Sequence, residues 1–400
     1  MQNRAFLFIL ITLMIDAIGI GIVFPIMPDL MARVGADSTG EGALWGGILM
    51  ASYAGALFIF SPIIGSLSDA YGRKPVLIAA LAVLAVDYAI MAMASVFWVL
   101  LIGRILAGIA GATYTTATAY IADISDAKDR AARFGMIGAA FGIGFVLGPA
   151  IGGIAAEWHI AAPFWIAAAM SSANVLFGVF ILPESLPPEK RRAFGFRDLN
   201  PFGAIIDAFR IPGLAVPLIC VFVFEFANMV YPTLWAFFTR ELFGWSTLLI
   251  GVSLAGYGIL LAGVQGGLMP VLINRFGEFR TLKLGMLSAL IGFVGFGVIS
   301  TVAGLVILLV FAALSDLVPP LLSAMSSNAV GEDQQGLVQG VIASLASIAA
   351  FLAPLVATGV FEAFVDDTGI YLPGAPFLLG GVLIVLVSPL IFRLRGQAQS

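Results

Sequence analysis

The sequence contains very little charge. Of its 400 residues, 10% are Asp, Glu, Lys or Arg and 61% are hydrophobic, whereas a soluble domain carries about 25% charged residues. A chain with so little polar surface cannot cover a globule in water, so the composition indicates a membrane protein. The formal net charge of -4 gives no support to nucleic-acid binding, which requires a basic face.

Cysteine and histidine each occur once. Cys220 lies inside an apolar run and His159 lies between two hydrophobic segments. One cysteine can form neither an internal disulfide nor a thiolate metal site. We interpret Cys220 as a small buried hydrophobe and His159 as a solvated loop residue. The sequence shows no nucleotide-binding loop, metal cluster or nucleophile–base pair, so we expect no metal, no cofactor and no enzyme activity.

Long hydrophobic runs, in contrast, fill most of the chain. A membrane-spanning helix needs about 20 mostly apolar residues, and twelve such segments are present. They lie near residues 5–28, 43–66, 76–95, 97–121, 134–156, 160–182, 212–238, 247–272, 281–300, 302–324, 336–360 and 372–393. The sequence therefore predicts an all-α polytopic membrane protein with twelve transmembrane helices in two six-helix bundles.

One polar insertion divides the twelve segments into two sets of six. Residues 183–211 form the longest polar stretch and contain nine charged residues. We interpret this stretch as a cytoplasmic linker. The predicted domains are an N-terminal bundle at residues 1–182 and a C-terminal bundle at residues 212–400.

Basic residues are distributed unequally between the two sides of the predicted bundle. Sixteen of the nineteen Lys and Arg residues fall in the termini, the linker and the connections on one side. The exceptions are Arg33 and Arg240 on the other side, and Arg104 within the fourth segment. Because loops rich in Lys and Arg remain in the cytoplasm, we expect both termini and the linker to be cytoplasmic.

Two short motifs recur at one offset. Residues 69–73 (DAYGR) follow the second segment, and residues 274–278 (NRFGE) follow the eighth, 205 residues later. Gly148-Pro149 in the fifth segment recurs as Ala353-Pro354 in the eleventh, again 205 residues later. This repetition indicates a duplication that gives two parallel six-helix repeats. Such repeats are a transporter architecture, with the substrate site near the midplane between the halves.

Five charged residues fall within the spanning segments, where charge is costly and marks a functional site by default. They are Asp16, Asp87, Arg104, Glu225 and Asp316. The surplus of acids suits proton carriage or cation binding, because a carboxyl group in a low-dielectric cavity can load and release a proton near neutral pH. The structural alternative is that the acids hydrogen-bond to neighbouring helices and that Arg104 is only a counter-ion.

A polar turn after the second segment reads GSLSDAYGRK, residues 65–74. Gly65 permits close helix contact, and Gly72 permits a tight turn. Asp69 can cap the start of a helix or pair with Arg73.

The fifth segment carries glycines at a spacing of four residues. This spacing places small residues on one helix face, so that another helix can approach closely, and Pro149 is expected to bend the helix. The set comprises Gly138, Gly142, Gly144, Gly148, Pro149, Gly152 and Gly153. Considered alone, the set indicates only a packing face.

A cavity for an amphipathic molecule combines apolar walls with a few polar groups. Seven polar or aromatic residues of the central segments are candidates for its lining, although each could instead anchor or cross-link helices. They are Tyr114, Asn228, Tyr231, Trp235, Tyr257, Gln265 and Gln339.

Taken together, these motifs resemble the major facilitator superfamily. GSLSDAYGRK is similar to its cytoplasmic loop signature, and GRILAGIAGA (residues 103–112) is similar to its fourth-helix motif. GAAFGIGFVLGPAIGG (residues 138–153) resembles the fifth-helix motif of drug/proton antiporters. The opening DAIGIGIVFPIMPDL (residues 16–30) and AVDYAI (residues 85–90) resemble the twelve-helix tetracycline efflux group.

The resemblance implies roles for several residues. The gating loop would comprise Gly65, Asp69, Gly72 and Arg73. The antiporter hinge would comprise Gly138, Gly142, Gly148, Pro149 and Gly152. Arg104 would couple proton movement, and Asp16 and Asp87 match acidic positions important in the tetracycline group.

The second half departs from the tetracycline pattern. Tetracycline pumps are expected to carry a histidine in the eighth helix and an aspartate in the ninth. Here the eighth segment reads GVSLAGYGILLAGVQGGL and the ninth reads LKLGMLSALIGFVGFGVIS. We hypothesise that Glu225 and Asp316 take over the carboxylate role of the second half.

The sequence therefore predicts a secondary active transporter in a bacterial inner membrane. It would export amphipathic small molecules, with tetracycline-like drugs as first candidates, in exchange for protons by alternating access. Two alternatives stay open: an exporter of an endogenous metabolite such as a siderophore or lipid-like compound, and a sensor or scaffold that does not transport. We expect substrate, protons and the lipid bilayer as partners, no nucleic acid, and a monomer.

Overall fold

The computed structural model of the chain describes residues 2–111, 113–192, 202–331, 334–367 and 369–397. Within these ranges it contains seventeen α-helices, a short 3-10 helix at Pro188–Lys190, and π-helices at Val264–Leu268 and Ala363–Asp367. The α-helices are α1 (Gln2–Arg33), α2 (Thr39–Tyr71), α3 (Arg73–Met93), α4 (Phe97–Ala110), α5 (Thr113–Asp123), α6 (Ala127–Ala156), α7 (Ala162–Ile181), α8 (Gly203–Phe209), α9 (Ala215–Asn228), α10 (Val230–Phe243), α11 (Thr247–Gly263), α12 (Met269–Phe276), α13 (Glu278–Val298), α14 (Val302–Ser315), α15 (Val318–Asn328), α16 (Gln335–Glu362) and α17 (Ala375–Gln397). Residues 193–201 of the predicted linker lie outside the described ranges.

Most of these helices are long and apolar enough to cross a membrane. In the described residues, eleven helical spans meet this standard, and Ala375–Ile391 is a shorter apolar helix. Each one overlaps a predicted segment, so the prediction of an all-α polytopic protein with twelve spanning helices is confirmed. Four spans are interrupted: α4 with α5, α9 with α10, α14 with α15, and α11 with α12, which a π-helix joins.

The 205-residue repeat is visible in the helix boundaries. Helices α13, α14 and α15 begin and end 205 residues after α3, α4 and α5. The turn before α3 also matches the turn before α13. Gly72 has φ +106° in the first turn and Gly277 has φ +79° in the second. Positive φ angles of this kind favour glycine. The two halves therefore share one helix break, between α4 and α5 and between α14 and α15, and the same turn.

Residue contacts divide the chain into two compact units. Unit 1 comprises Met1–Gly35, Ser52–Asn200 and Ser246–Ala255; unit 2 comprises Ala36–Ala51, Pro201–Trp245 and Gly256–Ser400. The first part of α2 thus belongs to unit 2, and the first part of α11 belongs to unit 1. The division of the chain at residues 1–182, 183–211 and 212–400 stays a prediction.

In unit 1, helices α1 and α6 approach each other closely through glycines of α6. A Cβ atom on Gly144 would lie 2.6 Å from the carbonyl oxygen of Met14, and one on Gly148 would lie 2.6 Å from that of Ile18. Gly152 makes the same type of approach one turn later. Only glycine permits this backbone contact, so these three residues form the packed face of the glycine series.

Other members of the glycine series have different surroundings. Apart from the backbone of α6 itself, no atom of the described chain lies within 4 Å of a Cβ placed on Gly138 or Gly142, whereas one on Gly153 would lie 3.1 Å from the carbonyl oxygen of Thr247. Pro149 lies inside α6, which continues to Ala156. The hinge role of Gly138, Gly142 and Pro149 stays a prediction.

The core of unit 2 contains an aromatic cluster, with Phe293, Phe296 and Phe377 at its centre. The Phe296 and Phe377 rings are 5.5 Å apart, and the Phe293 ring is 5.2 Å from that of Tyr231. Each phenylalanine is fully buried. The cluster joins α10, α13 and α17, and aromatic packing of this kind holds a helix bundle together through large contact areas.

The two rare residues occupy the environments expected for them. Cys220 is fully buried on α9. His159 is exposed, and its Nδ1 accepts a hydrogen bond of 3.0 Å from the backbone N–H of Ala161. In the part of the chain that the structure describes, no group of three His, Cys, Asp or Glu residues is arranged to hold a metal.

Candidate functional site

The arginine of the fourth span pairs with an aspartate of the third. Nη2 of Arg104 donates to Oδ2 of Asp87, and the two side chains are 10% and 0% exposed. Gly103 makes room for the pair, since a Cβ atom there would lie 2.6 Å from Oδ1 of Asp87. A buried charge is tolerated when it is paired with an opposite charge. The structure thus identifies Asp87 as the counter-ion of Arg104.

Asp16 of α1 is the second buried acid of unit 1. Its residue is 8% exposed, and its Oδ1 has no hydrogen-bond partner in the described chain. The carboxyl group interacts electrostatically with the hydroxyl groups of Tyr53 and Tyr88. Neighbouring dipoles and charges decide whether such a buried carboxyl group holds a proton. Asp16 is therefore a buried acid close to two hydroxyl groups, and its role in proton coupling stays a prediction.

In unit 2, both carboxylate oxygens of Asp316 accept hydrogen bonds. The Tyr257 hydroxyl donates to Oδ2 at 2.5 Å, and the Asn228 amide donates to Oδ1 at 3.1 Å. Nε2 of Gln265 donates to the backbone carbonyl of Asp316 at 3.3 Å. Three residues predicted to line a substrate cavity therefore contact one of the predicted proton-coupling acids.

The polar groups around Asp316 lie where spans are interrupted. Asn228 ends α9, Gln265 lies in the π-helix that follows α11, and Asp316 follows the last residue of α14. Interrupted helices persist inside membranes only where protein or water satisfies the freed backbone groups. In transporters, discontinuous helices and π-helices frequently form ion and substrate sites.

Glu225 lies on α9, one turn before Asn228. Its residue is partly buried, and its carboxyl group interacts electrostatically with Asp316. Two carboxyl groups that repel each other do not ionise independently, so one influences the protonation of the other. The sequence predicted a role for each acid separately, and Asn228 connects their surroundings, because it lies one turn after Glu225 and donates to Asp316.

The predicted gating turn is a network of ion pairs and hydrogen bonds around Arg73. Its guanidinium contacts Asp69 at 2.5 Å and Asp123, the last residue of α5, at 3.2 Å. It also donates to the Ser68 hydroxyl at 2.5 Å. Apart from the backbone of α2 itself, no atom of the described chain lies within 4 Å of a Cβ on Gly65. The turn thus connects the ends of α2 and α5 to the start of α3.

Glu184, in the first residues of the linker, also contacts this turn. Its carboxylate accepts hydrogen bonds from the backbone N–H groups of Arg73 at 2.9 Å and Lys74 at 3.3 Å. These are the first N–H groups of α3, so Glu184 caps that helix, for which Gly72 has no side chain to offer. The gating role of the turn stays a prediction.

The remaining cavity candidates lie in different surroundings. The Tyr114 ring is 48% exposed and packs edge-on against Phe141 at 5.7 Å. The exposed Gln339 amide donates to the hydroxyl groups of Ser323 at 2.9 Å and Ser327 at 2.7 Å. Tyr114 and Gln339 are therefore accessible, and their role as substrate contacts stays a prediction.

Tyr231 and Trp235 lie in the aromatic core of unit 2. Trp235 is 4% exposed and packs edge-on against Trp245 and Phe296. The Tyr231 hydroxyl is buried and has no hydrogen-bond partner in the described chain. In this structure both rings serve packing, and a substrate contact of either stays a prediction.

The sequence reasoning missed four residues that contact the predicted ones. They are Tyr53, Tyr88, Asp123 and Glu184. A hydroxyl group inside an apolar span and a position next to Asp87 are signals that could have identified the two tyrosines. The two acids have no such signal, because their contacts depend on distant chain segments meeting at one end of unit 1.

Comparisons with known proteins identify the family of the chain. Residues 9–354 match the family model described as Major Facilitator Superfamily. The chain belongs to the major facilitator superfamily. The resemblance drawn from the three sequence motifs is thus confirmed.

Several relatives in the superfamily match nearly the whole chain. The class C tetracycline resistance protein of Escherichia coli is 37% identical over 98% of this chain and 97% of its own length. Multidrug resistance protein 2 of Bacillus subtilis is 30% identical over 96% of this chain and 94% of its own length. The similarity to tetracycline resistance proteins confirms the group that the motifs indicated.

Solved structures of the superfamily share the fold. The human organic anion transporter MFSD10 has a TM-score of 0.71 and 25% sequence identity, covering 98% of this chain and 99% of its own. The nucleoside transporter NupG has a TM-score of 0.78 at 15% identity, covering 98% of both chains. As a member of the superfamily, the protein is a multi-pass membrane transporter of small molecules.

Proposed function

We propose that this major facilitator protein is a proton-coupled antiporter that exports amphipathic small molecules, with tetracycline-like drugs as first candidates. The observation that carries the proposal is a buried acid in each unit: Asp16 with an unpartnered oxygen and Asp316 within a hydrogen-bond network. Buried carboxyl groups in spanning helices are typical proton carriers. The tetracycline and multidrug resistance relatives support the substrate class.

In this proposal, protonation and substrate binding exclude each other. A proton on Asp16 removes a buried negative charge, and its release restores that charge for interaction with a polar or cationic group of the substrate. The Arg104–Asp87 pair supplies fixed charges beside this site. Asp316 and Glu225 form the corresponding acidic group of unit 2. Alternating access, which rocks repeats of this type around a substrate site, completes the cycle.

Location and orientation are parts of the same proposal. The bacterial relatives and the apolar spans support an inner-membrane protein, and the bias of basic residues supports cytoplasmic termini. We propose a monomer as the transporting unit. Cysteine labelling at Ser400→Cys in intact and permeabilised cells, in a Cys220→Ala background, tests the orientation, since a cytoplasmic terminus reacts only after permeabilisation.

The proposed antiport can be tested with inside-out membrane vesicles and an imposed pH gradient, acidic inside. Wild-type vesicles should accumulate tetracycline and lose it when an ionophore collapses the gradient. Asp16→Asn and Asp316→Asn should each reduce accumulation at least about tenfold, the effect of losing about 1.4 kcal/mol of coupling. Asp207→Asn is the matched control, because that acid is exposed on α8. Accumulation that survives gradient collapse, or full activity in both buried-acid variants, would show that the proposal is wrong.

A second function, export of an endogenous metabolite, is favoured by one observation. Residues 247–272 of the eighth span contain no histidine and residues 281–300 of the ninth contain no acid, although the tetracycline pattern leads one to expect both. If expression leaves tetracycline susceptibility unchanged while the medium gains a metabolite that an Asp16→Asn strain does not release, this second function is the correct one.

A further inference from the structure

We infer that two tyrosines, Tyr53 of α2 and Tyr88 of α3, are positioning residues for Asp16. They link its carboxyl group to the Arg104–Asp87 ion pair. The inference rests on the proposed function, because it explains how protonation of Asp16 affects the Arg104–Asp87 ion pair. It concerns residues of unit 1 only.

Tyr88 contacts α1 beside Asp16. It is 3% exposed, and its hydroxyl group fills the space that a side chain on Gly19 would occupy; a Cβ atom there would lie 2.6 Å from the ring carbon Cζ. Gly19 and Asp16 are three residues apart and so share one helix face. Tyr88 also follows Asp87 directly in the chain. One helix therefore presents both the counter-ion of Arg104 and a hydroxyl group near Asp16.

Tyr53 makes the corresponding contact with Arg104. The guanidinium carbon of Arg104 lies 5.7 Å from the centre of the Tyr53 ring, within the range of a cation–π interaction. Gly108 of α4 and Gly111, the residue after α4, allow this approach, since a Cβ on Gly111 would lie 2.9 Å from the Tyr53 hydroxyl and one on Gly108 would overlap the Tyr53 carbonyl. The same tyrosine interacts electrostatically with Asp16.

The acids and the arginine have hydrogen-bonding capacity left over. Oδ1 of Asp16, Oδ1 of Asp87 and Nε of Arg104 are buried and have no hydrogen-bond partner in the described chain. A tyrosine hydroxyl can donate to a carboxylate and can accept from a protonated carboxyl group. Loading or releasing a proton at Asp16 thus changes what the adjacent hydroxyl groups do, and Tyr53 carries that change to Arg104.

The other helices on α1 present neutral groups to this region. Thr12, one turn before Asp16, donates to the Asn174 amide oxygen of α7 at 3.1 Å. Helix α6 presents Gly144 and Gly148. Helix α5 contributes Tyr120, whose hydroxyl donates to the Pro183 carbonyl at 2.8 Å. In the described part of unit 1, the charged partners of this region are therefore the Arg104–Asp87 pair.

The test is a pH titration of the Asp16 carboxyl band by infrared difference spectroscopy on the purified full-length protein, with the band assigned by its loss in Asp16→Asn. In Tyr53→Phe and Tyr88→Phe, the midpoint should move about one pH unit higher, because the ionised carboxylate loses the dipole of a nearby hydroxyl group. Tyr120→Phe removes a hydroxyl group whose hydrogen bond goes elsewhere, and should leave the midpoint unchanged.

A second variant addresses the same contact without altering a tyrosine. Gly19→Ala displaces the Tyr88 hydroxyl and should shift the midpoint in the same direction, whereas Gly135→Ala, on α6 with no neighbour within 4 Å of its Cβ, should not. An unchanged midpoint in both tyrosine variants, an equal shift in Tyr120→Phe, or no titrating Asp16 band would overturn the inference. The titration involves no transport, so a failure of tetracycline accumulation would count against the proposed function separately.

Discussion

Tyr257 donates a 2.5 Å hydrogen bond to Oδ2 of Asp316, the residue at which the tenth span is interrupted. Because Asn228 donates to Oδ1, both oxygens of this acid are satisfied. Within the described residues, one oxygen of Asp16 in unit 1 has no hydrogen-bond partner. The buried acids of the two units thus differ in their hydrogen bonds, although the boundaries of α3, α4 and α5 recur 205 residues later in α13, α14 and α15.

Removing the tyrosine hydroxyl in Tyr257→Phe should slow pH-gradient-driven tetracycline accumulation about tenfold. A hydrogen bond to a charged group contributes roughly 1.5–3 kcal/mol, and its loss disturbs the balance between protonated and ionised Asp316. The matched control is Tyr371→Phe, which removes a hydrogen bond from an exposed tyrosine to Glu241. Equal rates in Tyr257→Phe and wild type would show that this contact is not part of coupling.

The Arg104–Asp87 pair predicts a non-additive effect on stability. Asp87→Asn or Arg104→Gln leaves one buried charge without its partner and should lower the free energy of unfolding by about 3–5 kcal/mol. The double variant carries no unpaired charge and should be more stable than either single variant. Thermal unfolding in detergent measures all three, and a double variant as unstable as the sum of the singles contradicts the pairing.

The sequence predicted the helices well because apolar length is a local property. The twelve segments and the buried charges follow from composition within a single stretch of chain, and the repeat follows from comparing two such stretches. The interruption of the spans was not predicted. The signals were nevertheless local, because Pro319 and Pro320 follow the break at Asp316 and Pro270 follows the π-helix that holds Gln265. Proline removes a backbone donor and disturbs a continuous helix.

The partners of the buried charges were predictable only in part. Asp87 and Arg104 were both identified, yet their pairing depends on how α3 packs against α4. Tyr257, Asn228 and Gln265 were expected to line a cavity because polar side chains in apolar spans suggest one. The structure shows all three bound to Asp316, since a buried acid and nearby donors satisfy one another.

The glycine series of α6 predicts that its members differ in their tolerance of substitution. Gly144→Ala should destabilise the protein by about 1–3 kcal/mol, because the added methyl group meets the α1 backbone at 2.6 Å. Gly135→Ala meets no neighbour and should be neutral or stabilising by about 0.5–1 kcal/mol, because alanine favours the helix. The midpoints of thermal unfolding compare the two. A similar loss in both variants would show that helix packing does not decide the effect.

The repeated turn contains one glycine of positive φ in each half, and these two glycines differ in their neighbours. Gly72 and Gly277 both have positive φ, so alanine at either should cost about 1–2 kcal/mol in backbone strain. Gly72→Ala should cost about 1 kcal/mol more, because its Cβ would lie 2.9 Å from Cδ of Glu184 and displace the carboxylate that caps α3.

Adding Glu184→Ala separates the two costs of the Gly72 substitution. In that background, Gly72→Ala should be no more harmful than Gly277→Ala, since the cap is already absent and only the strain is left. Thermal unfolding of the single and double variants measures the difference. If Gly72→Ala retains its extra cost without the Glu184 carboxylate, the contact between the linker and α3 does not explain it.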